Sequence, residues 1–201
     1  LHQVVKKGTL NNPDELTRQV DRMLTDPRAE AFYHSFMSQW FELHRFDDIA
    51  VNPDEYLMFD EQVRYSAREE PIRLFEHLVK ENLSLGNLID SDFAMLDPLL
   101  AHFYGIQGVD GQGFRKVNLP PESPRGGLIG TTAFMIMGST GDRTSPIIRG
   151  TLVLDKFLND PSADPPPNVP ELTDASKEAL PVREMIELHQ SKAQCASCHA
   201  K

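Results

Sequence analysis

Cysteine is nearly absent: the 201 residues hold two, Cys195 and Cys198. A single pair cannot make the multi-disulfide framework of a small secreted scaffold. Basic side chains are in deficit, 20 Lys and Arg against 30 Asp and Glu, for a net charge of −10. That balance argues against a duplex nucleic-acid binder, which needs a basic footprint. Long apolar runs are missing too. The longest candidate, Leu128 to Met137, is interrupted by Gly130, Thr131 and Thr132 and falls well short of the ~20 residues of a membrane span. There is no internal repeat, and no charged–apolar–small leader pattern opens the chain. It starts at Leu1 and stops at Lys201, close behind its cysteines. The expectation is a fragment or subunit of something longer, with any export signal outside it.

What is present suits a globular protein with a real core. Apolar residues make up 40% and charged residues 25%, so global disorder is not expected. The first ~105 residues read as helices. Asn12-Pro13 is a cap followed by a proline at the first helical position, and Leu16, Val20, Met23 and Leu24 supply one apolar face. Asp26-Pro27 repeats the signal and predicts a longer helix to about Phe46, with Ala29, Phe32, Phe36, Trp40 and Leu43 inward, flanked by Tyr33, Met37 and Phe41. A third helix is predicted from about Asp60 to Asn82, with Val63, Ala67, Leu74, Leu78 and Val79 inward and a kink at Pro71. Short helices are expected near Ser84–Ile89 and Asp97–Tyr104.

Beyond Gly105 the composition shifts to glycine and proline around one possible strand, Phe114 to Leu119. Helices are expected again at about 127–138, 145–159 and 181–192, with a proline-rich extended loop at 160–170 between the last two. The fold class is therefore mainly α: a helical bundle over 1–105, then a loop-rich helical module over 106–201 with at most one short β-hairpin.

The chemistry sits at the end. Cys195-Ala-Ser-Cys198-His199 is a C-x-x-C-H string, the attachment signature of c-type haem. Two thiols at this spacing reach the two vinyl groups of one porphyrin, and the adjoining imidazole is then held beneath the ring as an iron ligand. A thioredoxin-like reading would want the cysteines opening a helix in a βαβ unit, whereas here they follow one. A zinc reading has three ligands where four are usual. A disulfide across two residues would be strained and would leave His199 without a use. One covalent haem c is thus expected, with Cys195 and Cys198 as anchors and His199 as the metal ligand. Attachment of haem c takes place outside the cytoplasm, so a periplasmic or cell-surface location is expected.

The motif order resembles a known family. Asp21-Arg-Met-Leu-Thr-Asp-Pro-Arg28, Phe36-Met-Ser-Gln-Trp40 and Leu100-Ala-His-Phe-Tyr-Gly105 are similar to the uncharacterised helical domain of planctomycete and verrucomicrobial cytochrome-like proteins. Arg125-Gly-Gly-Leu128, Arg143-Thr-Ser-Pro146 with Arg149-Gly150, Pro165-Pro-Pro-Asn-Val-Pro170, and Arg183 through His189 to His199 resemble the cytochrome-like domain that follows it. The resemblance implies an exported multidomain c-type haem protein. Family members continue past the histidine with an Asp-Pro and Gly-Phe segment, which this sequence lacks.

Met135, Met137, Met185, His77, His102 and His189 are the candidates for a sixth iron ligand; His189 matches the family motif but lies only six residues before Cys195. Arg143 and Arg149 are candidate partners for the haem propionates, against a structural role tying loops to carbonyls. Glu69-Glu70 and Asp47-Asp48 read as solvated helix faces. One-electron transfer is the expected function, with a basic redox partner or a larger multi-subunit assembly favoured by the acidic charge. A haem-dependent enzyme component, peroxidase-like or accepting electrons from a dehydrogenase, stands as the alternative, as does a structural interaction module of a surface complex.

Overall fold

The computed structural model describes residues 1–162 and 182–191. The chain divides into two compact units, Leu1–Pro161 and Ser162–Lys201. The first unit contains α1 (His2–Lys6), α2 (Pro13–Leu24), α3 (Ala29–Trp40), α4 (Leu43–Asp48) and α5 (Glu61–Lys80). After a 3-10 turn at Leu85–Leu88 come β1 (Phe93–Leu96), α6 (Pro98–Phe103), β2 (Arg115–Asn118), α7 (Thr132–Met137) and α8 (Pro146–Leu158). In the second unit, α9 spans Val182–Ser191. The fold is mainly α, and its one described sheet is the antiparallel pair β1–β2, with Phe93 opposite Asn118 and Leu96 opposite Arg115.

Helix starts follow the capping chemistry of the sequence. The Asn12 side chain accepts from the Asp14 and Glu15 amides, and Asp60 does the same for Gln62 and Val63. Asp97 caps α6, Thr131 caps α7 and Ser145 caps α8, each taking up an amide that the first turn leaves without a helical partner. Proline occupies the start of α2, α6 and α8, where its missing N–H costs nothing. Helix α7 begins later than the predicted residue 127, because residues 125–130 are committed to a loop.

Several expectations about the bundle are corrected. The helix predicted to run to Phe46 breaks after Trp40, where Glu42 takes a left-handed conformation (φ 51°) and α4 starts in a new direction. The turn brings Phe41, Leu43 and Phe46 into the core together, and the Glu42 carboxylate is held by Lys156 at 3.0 Å and Arg45 at 3.3 Å. The inward face of α3 is also rotated. Ala29, Tyr33 and Met37 are buried against α5, while Phe32 and Phe36 lie at the edge, Phe36 stacking on Phe75 at 4.7 Å. On α2 the apolar stripe stays in solvent: Leu16, Val20 and Met23 are each more than two-fifths exposed, and Gln19 is the buried residue.

The core continues past residue 105. Helix α7 packs on α4 and α5 and also touches α8. Phe134 of α7 meets Phe41 at 6.1 Å, and Phe157 of α8 meets both Phe41 and Trp40. The indole N–H of Trp40 donates to the carbonyl of Lys156 at 3.2 Å, joining the ends of α3 and α8. Strand β2, predicted from its own sequence, finds its partner in 93–96, a stretch buried on both faces and therefore without alternation to announce it. Helix α5 runs unbroken through Pro71, and on it both Glu69 and Glu70 are buried. Neither carboxylate lies on the solvated face that the sequence predicts.

Candidate functional site

Cys195, Cys198 and His199 lie outside the described residues, as does most of the proline-rich loop at 160–170. Their donor set, two thiols and one imidazole, suits covalent haem c and one axial iron ligand. His189 and Met185 both fall on α9. Arg143 is exposed, on the turn closed by the Ser139–Thr144 bridge, and its carbonyl accepts from the Thr140 amide at 3.0 Å. Arg149, on α8, lies along Gly138, where a Cβ would collide with its side chain, and its Nη1 sits 3.3 Å from the Met135 sulfur. The other candidate ligands are scattered. Met137 is buried in the core, His77 stands edge-on to Phe93 at 5.5 Å, and His102 is exposed.

A different group of side chains converges inside the first unit. Glu70 sits one turn from Ala67 and Leu74 on the buried stripe of α5. Its carboxylate accepts from the Tyr104 hydroxyl at 2.6 Å and from the Thr132 amide at 3.1 Å. Thr132 also directs its amide (3.0 Å) and its hydroxyl (2.9 Å) to the Tyr104 oxygen. Arg125 lies over the Tyr104 ring, 3.9 Å from its centroid, and its Nη1 donates to the Gly130 carbonyl at 3.1 Å. One helical turn before Glu70, Ser66 donates to Asp97 at 2.6 Å, and Asp97 also caps α6. Burial dominates the electrostatics. Together with a smaller push from Asp97, it raises the Glu70 pKa to about 7 against the opposing pull of Tyr104, Thr132 and Arg125. Burial and the neighbouring Glu70 likewise push the Tyr104 phenol well above its ordinary range.

The Arg125-Gly-Gly-Leu128 motif explains how the arginine gets there. Gly127 is left-handed (φ 60°), and a Cβ on it would strike the carbonyls of Ile89 and Leu88. Only glycine lets this loop lie flat on the backbone of 88–91, where the Leu128 amide donates to Leu88 at 2.8 Å and Leu128 is fully buried. Arg125 is thereby fixed at the edge of a half-open cleft of about 200 Å³. Val51, Phe59 and Phe103 line it together with Thr132, Met135 and Ile136 of α7. Sequence reasoning singled out Arg125 and Tyr104 as parts of motifs but missed Glu70. Its spacing was the available signal: Val63, Ala67, Glu70, Leu74 and Leu78 make one helical stripe, and a glutamate within it is a buried glutamate.

The neighbouring Glu69 faces the opposite side, toward α3. Arg73 Nη2 is 3.1 Å from its Oε2 and His34 Nε2 is 3.5 Å away. Arg73 also reaches Glu30 and Glu76, so this cluster ties α3 to α5 with its charges paired. Among the described residues no group of three or more His, Cys, Asp or Glu could hold a metal ion, and no helix is long and apolar enough to cross a membrane.

A helical unit with a buried carboxyl, followed by a segment ending in paired thiols and a histidine, is the class of protein in hand. Residues 1–106 match the family PSD4, described as protein of unknown function (DUF1592), and the chain belongs to that family. Residues 125–201 match a second family, PSCyt3, also described as protein of unknown function (DUF1588). Both are planctomycete cytochrome-like families. No curated protein and no solved structure matches the chain.

Proposed function

We propose that this chain is an extracytoplasmic one-electron carrier holding a single covalent haem c, and that it works within a larger redox assembly. The observation that carries the reading is Cys195-Ala-Ser-Cys198-His199, inside the segment matched by the cytochrome-named family. The haem, when bound, supplies an iron centre able to exchange one electron. The chain's own residues anchor and orient it: Cys195 and Cys198 through their sulfurs, His199 through an imidazole nitrogen. Arg143, Arg149 and His189 are retained as candidate contacts to its edge. With a net charge of −10, the surface steers toward a basic partner, in a manner that weakens with salt.

The test is a pyridine haemochrome spectrum of the chain, produced with haem-attachment machinery, then denatured and extracted with acidified acetone. Porphyrin should stay with the polypeptide and show the thioether-type α band. Replacing both cysteines by serine should release it. His199→Ala should keep the porphyrin attached but alter the spectrum of the folded protein. Complete extraction of porphyrin from the wild-type chain sinks the proposal.

A further inference from the structure

We infer that the cleft between the 51–59 loop and α7 is a binding site for a free small organic carboxylate, held by the Arg125 guanidinium. This site lies within the unit Leu1–Pro161 and is independent of the haem reading. Among the residues that line the cleft, Arg125 is the one with a charged side chain. A guanidinium carries five N–H donors in a fork that matches a carboxylate. Among the described residues, Arg125 commits its side-chain hydrogen bonding to a single acceptor, the Gly130 carbonyl. Its orientation is already fixed by the Tyr104 ring beneath it and by the docked Gly126-Gly127 turn, so little side-chain entropy remains to be lost on binding.

The remaining walls set the rest of the ligand. Val51, Phe59, Phe103 and Ile136 are apolar, so a short aliphatic or aromatic body fits beside the charged head. A volume of about 200 Å³ suits roughly six to nine non-hydrogen atoms, given that a ~150 Å³ apolar cavity accommodates benzene. The nearby carboxyl, Glu70, takes its hydrogen bonds from the Tyr104 hydroxyl and the Thr132 amide rather than from the Arg125 side chain. The guanidinium is therefore not spent on a hydrogen bond to Glu70 and keeps donors for a ligand.

The proposal is tested by NMR titration of the full chain with butyrate, benzoate, their amides and inorganic phosphate, following the Thr132 amide and the Met135 methyl. Carboxylates should bind at least about 10-fold more tightly than the matching amides, the scale of a charge-assisted contact. Arg125→Gln should erase that preference. Because Arg125 also holds Gly130, a second variant, Thr144→Phe, is made at an exposed position on the rim; it should block binding with the fold intact. Equal affinity for acid and amide, wild-type binding by folded Arg125→Gln, or phosphate binding as tight as butyrate overturns the assignment.

Discussion

Glu70 is a carboxyl whose charge the fold resists. Its pKa rises from 4.5 to about 7 because burial penalises the anion more than Tyr104, Thr132 and Arg125 relieve it. An acid raised on folding binds more protons in the native than in the unfolded state between those two values. Stability is therefore highest below about pH 4.5 as far as this group is concerned, declines as pH rises through 7, and levels off above. A shift of this size corresponds to about 3 kcal/mol. Urea midpoints measured from pH 5 to pH 8 should fall accordingly in the wild type. Glu70→Gln, which can still accept from Tyr104, should flatten that decline; an unchanged slope would mean another group is responsible. Adjacent acidic letters in a sequence gave no reason to separate Glu70 from its neighbour, since exposed pairs of this kind are common. The distinction lay in helical phase. Glu70 shares the stripe of Ala67 and Leu74, whereas the partners of Glu69, Arg73 and His34, come from the α3–α5 seam.

At the level of elements, glycine decides where the cleft stands. The turn at 126–127 brings its backbone against Ser91 and Ile89, and no side chain can be accommodated there. Gly127→Ala combines a left-handed φ with a collision against backbone that cannot move independently, so a loss of about 2 kcal/mol or more is expected. Thermal unfolding would show it, and retention of wild-type stability would contradict the docking described. The helices themselves were legible wherever a capping side chain preceded a proline or an apolar stripe, as at Asn12, Asp97 and Ser145. The break between α3 and α4 was not. Glu42 carries no glycine or asparagine signal for its left-handed backbone, and the apolar letters on either side continue a helical rhythm. Tertiary partners, Lys156 from α8 above all, hold that turn.

On the scale of the molecule, motif boundaries and packing boundaries differ. The family matches fall on 1–106 and 125–201, whereas the first compact unit extends to Pro161. Helices α7 and α8 supply Phe134 and Phe157 to the same core as Phe41. A fragment ending at residue 106 should therefore lose the cooperative unfolding that a fragment ending at 161 keeps, as seen in far-ultraviolet circular dichroism melts. Two equally sharp transitions would instead show that the first 106 residues are self-sufficient. Sequence composition marked a change of chain character at Gly105. It could not show that the later helices fold back onto the earlier ones, because such contacts join residues far apart in the chain.

The indole bond between α3 and α8 has an optical consequence. Trp40 is the chain's one tryptophan, and its N–H is spent on a carbonyl 116 residues away. Its fluorescence is thus a private channel from a single seam of the molecule. Emission will redden when α8 peels from α3, whatever the remaining helices are doing.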